Sequence, residues 1–161
     1  MQQKIIMEEV TIRKAVLDDI RTLLEFEQGV VESERPFDPT LKRKDTRYYD
    51  LEKMIHSDHI ELLVAIADEK LIGSGYARIE NSELYLQHAQ HAYLGFMYVL
   101  PEFRGKGLNR LVIAKLMEWA RAKAIKEFRL EVYSQNSAAI KAYEKVGFIQ
   151  HMIEMRRGEN V

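Results

Sequence analysis

The stretch Arg104-Gly105-Lys106-Gly107-Leu108-Asn109 follows an apolar run that ends at Leu100-Pro101, and it opens a long amphipathic pattern. Strand, glycine turn and helix in that order suit an anion. A helix N-terminus offers backbone N–H groups without intrahelical partners and a partial positive charge. Gly105 and Gly107 let the backbone approach a ligand with no Cβ in the way. Arg104, Lys106 and Arg110 add formal positive charge. Two phosphate loops are excluded. A dinucleotide fingerprint needs a third glycine where Arg110 stands, and a Walker loop needs Ser or Thr where Gly107 follows Lys106. A glycine turn into a surface helix accounts for the same residues without a ligand.

Other chemistries fall away on composition. There is no cysteine, so a disulfide scaffold, a thiolate zinc site and a catalytic thiol are excluded. His88-x-x-His91 has the spacing of a metal pair but no carboxylate constellation, so no metal is expected. The 161 residues predict a single domain over 1–161, with 47% hydrophobic and 30% charged residues as in a globular protein. A formal net charge of -1 gives no support to a nucleic-acid partner, and the pair Arg156-Arg157 comes with no recognition module. The charge is uneven: residues 1–80 carry net -5 and residues 81–161 net +4. That split hints at an anion on the C-terminal half and a cation on the N-terminal half. The longest apolar runs, Leu62–Ala67 and Ala92–Leu100, fall far short of the roughly 20 residues of a membrane span. The N-terminal Met-Gln-Gln-Lys-Ile-Ile-Met is too short for a signal peptide. A cytoplasmic protein with no membrane partner is expected.

The elements that must position the loop can be read from periodicity. Val10–Val16 alternates and predicts a strand, and Leu17–Val31 a helix with Ile20, Leu23, Leu24 and Val31 on one face. Residues 32–46 predict a loop with Pro36 and Pro39, then a short helix over Thr46–His56. Ile60–Ala67 and Leu71–Glu80 predict a hairpin around Asp68-Glu69-Lys70, and Tyr93–Leu100 the next strand. A helix is predicted from the glycine turn to about Lys126, with Leu108, Leu111, Val112, Leu116, Trp119 and Ala120 as its stripe. Phe128–Tyr133 predicts a strand. Asn136–Val146 predicts a helix closed by Gly147, and Phe148–Arg156 a last alternating strand. The order is mixed α/β: antiparallel hairpins first, then β-α-β-α-β.

With its flanks, Val99-Leu100-Pro101-Glu102-Phe103-Arg104-Gly105-Lys106-Gly107-Leu108 resembles the acetyl-CoA loop of the GNAT family of N-acetyltransferases, Gln/Arg-x-x-Gly-x-Gly/Ala. Arg104 and Gly107 match it, and Asn109 departs at the last place. Residues 130–148 resemble the family's second motif, with Asn136, Ala139 and Tyr143 as its Asn-x-x-Ala-x-x-x-Tyr core. Ile12-Arg13-Lys14-Ala15 followed by Asp19, and Val64–Gly75, resemble its opening strand and central hairpin. The resemblance covers nearly the whole chain, with its specificity concentrated in residues 93–149.

The resemblance implies a central, mostly antiparallel sheet flanked by helices, with Tyr93–Leu100 and Phe128–Tyr133 as a splayed parallel pair. It implies transfer of an acetyl group from acetyl-CoA to a primary amine or peptide N-terminus by direct attack in a ternary complex. Met97, Tyr98 and Val99 would meet the pantetheine arm, with an N–H near Tyr98 or Val99 on the thioester oxygen. Arg104, Gly105, Lys106, Gly107, Leu108 and Asn109 would hold the diphosphate, with Asn136, Ala139 and Tyr143 completing the cofactor contacts. Tyr143 would be the general acid. Glu131 stands where one branch of the family keeps its base, with Tyr93, His91, Glu80 or a water relay as rivals. Asn136 has a helix N-cap as its other role. Acidic residues of the 32–46 segment suit a cationic acceptor. A homodimer is in keeping with the family. The competing expectation is a CoA-binding sensor of the same fold without turnover.

Overall fold

Arg13 and Asp19 set the entry to the first helix. The protein is described by a computed structural model over residues 9–159, so the stretch read for a signal peptide lies outside it. Two guanidinium nitrogens of Arg13 donate to the Asp19 carboxylate at 2.7 and 2.9 Å, and Val16 N–H donates to it at 2.8 Å. Chiefly through the hydrogen bond from Arg13, the Asp19 carboxyl is held below the usual carboxylate range. The strand before it is β1, Thr11–Lys14. A single 3₁₀ turn, Leu17–Asp19, then leads into helix α1, Ile20–Glu34. The helix is later at both ends than periodicity predicts. Its buried face is Leu23, Phe26, Glu27, Val30 and Val31, while Ile20 and Leu24 are half-buried.

The second helix is shorter than expected. Helix α2 covers Leu51–His56, because the Asp50 side chain accepts from Lys53 N–H and so fixes its start. Residues 46–50 have no regular secondary structure.

The hairpin is where the sequence placed it. Strands β2, Ile60–Ala67, and β3, Lys70–Asn81, pair antiparallel around Asp68 and Glu69. Both turn residues have positive φ, 48° and 61°, as a two-residue type I′ turn requires. Strand β4, Gln90–Val99, follows on the far edge of β3. Helix α3, Leu108–Ala122, crosses back over the sheet to β5, Phe128–Arg129, which is parallel to β4. The sheet runs β1-β2-β3-β4-β5, antiparallel except for its last pair. Helices α1 and α2 cover one face, where Phe26, Leu51, Met54, Leu62, Val64, Tyr76 and Phe96 form a core. Helix α3 packs on the other face, its Leu108 and Val112 lying close over Gly73 and Gly75. A Cβ on Gly75 would come within 2.7 Å of Val112 Cγ1, so this close approach requires glycine.

Three expectations fail at the C-terminal side. Helix α3 stops at Ala122, short of Lys126, and buries Ile113 while Leu111 stays exposed. A Schellman motif ends it: Ala124 takes φ 62°, Ile125 N–H donates to Ala120 O, and Ala124 N–H to Arg121 O. The strand predicted over Phe128–Tyr133 keeps only its first two residues. The strand predicted over Phe148–Arg156 does not form. The chain divides into two compact units, Met1–Glu131 and Val132–Val161, and the five strands of the described residues belong to the first. Among the described residues of the second unit no other strand exists to pair with Phe148–Arg156, and alternation without a ladder makes no strand. That unit is built on helix α4, Ser137–Glu144. Asn136 Oδ1 accepts from Ala139 N–H at its start, and Gly147 at φ 96° closes it as predicted.

An alanine at φ 62° is strained where glycine is not. Ala124→Gly is expected to raise stability by about 0.5–1 kcal/mol, the relief of left-handed strain exceeding the entropy glycine adds to the unfolded chain. Urea denaturation measures this, and a lower midpoint would show that the strain is already relaxed.

Candidate active site

Strand β4 has its two ladders interrupted at different places. Toward β5 it pairs only at Ala92 and Tyr93. Toward β3 its register shifts between Gly95 and Tyr98, where Phe96 and Met97 both stand against Gly75. Phe96 sits at φ 52°, a conformation that costs a bulky residue about 1–2 kcal/mol. This bulge changes parity. Tyr93 lies against Tyr76 with ring centroids 6.3 Å apart, on the face covered by α1 and α2. Beyond the bulge it is Phe96 and Tyr98 that face those helices, Phe96 stacked on Tyr49 at 4.5 Å and Tyr98 against Phe26 at 4.9 Å. Met97 turns to α3.

The backbone follows the same logic. Leu100 N–H donates to Ile72 O, so Ile72–Leu100 and Ser74–Tyr98 are the hydrogen-bonded pairs of the antiparallel ladder. Tyr98 therefore spends its N–H and C=O on β3. Met97 and Val99 point theirs the other way, along the edge where the β5 ladder has ended. Of the two amides the sequence nominated for the thioester oxygen, Val99 faces this edge and Tyr98 does not.

The glycine turn begins where that edge ends. One 3₁₀ turn, Pro101–Phe103, leads to Arg104, and Gly105 and Gly107 follow at φ 72° and 83°. Nothing lies within 4 Å of where a Cβ would stand on either glycine. No side chain caps α3, whose N-cap is Gly107. Arg104 Nε donates to Val99 O at 2.9 Å, and its guanidinium lies 5.7 Å from the centre of the Tyr98 ring. Lys106 Nζ lies over Phe103. Leu108 is buried, while Arg110 is exposed. Asn109 Oδ1 is buried without a hydrogen-bond donor.

The rival bases share one face of the sheet. Arg78 lies over both Tyr76 and Tyr93, at 5.6 and 5.4 Å from their ring centres. Its Nε donates to Glu80 Oε1 at 2.7 Å. The other Glu80 oxygen meets His91 Nε2 at 3.3 Å, and His91 Nδ1 meets Ser82 Oγ at 2.9 Å. His88 takes a contact from Arg129 at 3.3 Å, its ring 6.3 Å from that of His91. Glu131 is exposed, and its charge acts on Tyr93 and Tyr76. Burial first, then the Glu131 carboxylate, pushes the Tyr93 hydroxyl well above the usual tyrosine range. Burial does the same to Tyr76. Tyr93 therefore lies within the electrostatic reach of Glu131, another of the rival bases.

Asn136, Ala139 and Tyr143 belong to the second unit. Tyr143 is half-buried in α4, its ring 6.1 Å from Phe148 and edge-on to it. The Asn136 side chain is occupied as the N-cap.

Three residues with structural consequences were not singled out from the sequence. Glu27 is fully buried in α1 and accepts from Tyr48 N–H at 2.6 Å, Tyr49 N–H at 2.9 Å and Arg47 Nε at 2.7 Å. It ties down the 46–50 segment, whose Tyr49 stacks on the bulge. A lone carboxylate on the apolar stripe Leu23-Phe26-Val30 was the available signal. Ser74, buried between two glycines, was legible as a place of close approach. Phe96 carried no signal, since nothing in a phenylalanine announces positive φ.

A family model described as the acetyltransferase (GNAT) family matches residues 19–148. An aminoglycoside N(6')-acetyltransferase type 1 from Salmonella typhimurium is 27% identical over 65% of this chain and 72% of its own. A spermidine N(1)-acetyltransferase from Thermoplasma acidophilum is 28% identical over 86% of this chain and 88% of its own. The structure of AAC(6')-Iy in complex with the bisubstrate analog CoA-S-monomethyl-acetylneamine superposes with a TM-score of 0.70. It covers 94% of this chain and 99% of that one at 23% identity, a likeness of fold.

Removing the Glu27 carboxylate strands two backbone N–H groups and the Arg47 guanidinium. Glu27→Ala is expected to lower unfolding free energy by about 3–5 kcal/mol, measured by urea denaturation. A loss below about 1 kcal/mol would mean that water replaces the carboxylate at no cost.

Proposed function

The chain belongs to the GNAT family of acetyltransferases, and from that membership we propose that it transfers the acetyl group of acetyl-CoA to a primary amine by direct attack within a ternary complex. The observation that carries this reading is the edge of β4. Its ladder to β5 stops at Tyr93–Arg129, and the outward groups of Met97 and Val99 run straight into an open glycine turn. An extended, amide-bearing arm fits that edge as an added half-strand. A diphosphate fits the N-terminus of α3, with Gly105 and Gly107 giving backbone access and Arg104, Lys106 and Arg110 supplying charge. Asn109, at the place where the family keeps a small residue, borders this cradle. We read 1–161 as one acetyltransferase domain, since the family match runs unbroken from 19 to 148.

Acetyl-CoA supplies the activated acyl group; the chain supplies orientation and proton handling. Two outward amides compete for the thioester oxygen, Val99 N–H, nominated from the sequence, and Met97 N–H; we assign it to Met97, the first outward amide after the bulge. Tyr143 is assigned as general acid toward the departing thiolate, and Ala139 and Asn136 line the same motif. Glu131 is assigned as base for the incoming ammonium, alone or through water, with Glu80 and His91 behind it. Tyr93 stands beside them as a further rival base. The acceptor is a small cationic amine or a peptide N-terminus. Relatives named for aminoglycosides, spermidine and thialysine support the amine class.

β4 has no carboxylate between Ala92 and Val99, which favours as second reading a CoA-binding sensor without turnover. Thiol release on mixing with acetyl-CoA and a panel of amines separates the two. Turnover is expected, and Tyr143→Phe should lower kcat about 100-fold with little change in the KM for acetyl-CoA. Glu131→Gln should lower kcat about tenfold or more at neutral pH. An unchanged rate in either variant removes that residue's role, and no thiol release with any amine favours the sensor.

A further inference from the structure

Ser74 is buried, and its backbone is already used in the pair with Tyr98. Its hydroxyl does something separate: Oγ donates to Phe96 O across 3.0 Å. That carbonyl lies in the bulge, where two β4 residues oppose Gly75 alone and the ladder gives it no regular partner. The Phe96–Met97 peptide is trans and planar, so its carbonyl and its N–H point in opposite directions. Holding Phe96 O toward β3 therefore holds Met97 N–H toward the open edge.

We propose that Ser74 is a positioning residue for the transfer: its hydroxyl locks the Phe96–Met97 peptide so that Met97 N–H meets the thioester carbonyl oxygen. The proposal rests on the acetyl-transfer reading above. Two features set this bond apart from packing. It is the side-chain hydrogen bond that reaches into the bulge, and it restrains a residue whose positive φ would otherwise relax. Chain volume at position 74 is a different property from the hydroxyl, so the two can be varied separately.

The test is isotope-edited infrared spectroscopy of acetyl-CoA carrying ¹³C at the acetyl carbonyl, bound to the whole chain. In the unmodified protein the thioester carbonyl band is expected at lower frequency than in Ser74→Ala, because the variant frees the peptide and weakens the hydrogen bond. Calorimetry with CoA, which lacks the acetyl carbonyl, is expected to give the same affinity in both. Ser74→Cys, close in size with a weak S–H donor, covers the case in which the alanine variant does not fold, and its band is expected part of the way up. A band at the same frequency in the unmodified protein and in a folded variant overturns the role of Ser74 while leaving acetyl transfer intact. Failure of the unmodified protein to bind acetyl-CoA overturns the transfer reading and this proposal together.

Discussion

A strand inside a sheet must divide its backbone groups between two neighbours. Strand β4 has β3 along most of its length and β5 for two residues only. Unpaired backbone groups in a largely buried strand are costly. Much of the first unit can be understood as the handling of that cost. The bulge at Phe96 reassigns which residues face which side, Ser74 takes the extra carbonyl, and Arg104 takes the outward carbonyl of Val99. What remains is a short row of outward groups that leads into a helix with no side-chain cap.

The opposite face is built from the same strand. The parity change sends Tyr93 and then Phe96 and Tyr98 under α1 and α2, where they meet Tyr49, Tyr76 and Phe26. The 46–50 segment has no regular secondary structure, and Glu27 supplies the acceptor for the N–H groups of Tyr48 and Tyr49. A charged group at zero exposure is tolerable because each of its oxygens is used. Glu34 plays a lesser part in the same region: the Tyr48 hydroxyl donates to it at 2.7 Å, while burial raises its carboxyl above the usual range.

The sequence exposed the parts of this design that are periodic or punctuated. Ile60–Ala67 was legible because it is apolar but for Glu61, and Gly105–Gly107 was legible as a turn because it stands before an amphipathic stripe. The GNAT resemblance followed from two spaced motifs, and the family match bears it out. What escaped were features set by partners far along the chain. The segment before α2 is held by Glu27, nineteen residues upstream of Thr46, through the N–H groups of Tyr48 and Tyr49. The end of α3 depends on a left-handed alanine, which no propensity favours. The alternation in Phe148–Arg156 was real as a pattern, but a strand is defined by its neighbour. The four rival bases were scattered in sequence and fall on one face because β3 and β4 bring 80 beside 91 and 78 beside 93.

The two-residue turn at Asp68 and Glu69 reaches further than its size suggests. It closes the hairpin tightly, and the count of residues from there along β3 decides which side chains look toward α1 and which toward α3. Beside it the ladder absorbs one extra residue, since Ala65 pairs with Gly73 and Ile66 with Leu71, leaving Ile72 over. A slip of one residue past that irregularity would exchange the two sides, sending Tyr76, Arg78 and Glu80 under α3. The eight-residue connection from 82 to 89 carries no such arithmetic, since both strands are already in register before it begins. The turn and the irregularity beside it thus act together as the gauge that sets which surface each later residue of β3 meets.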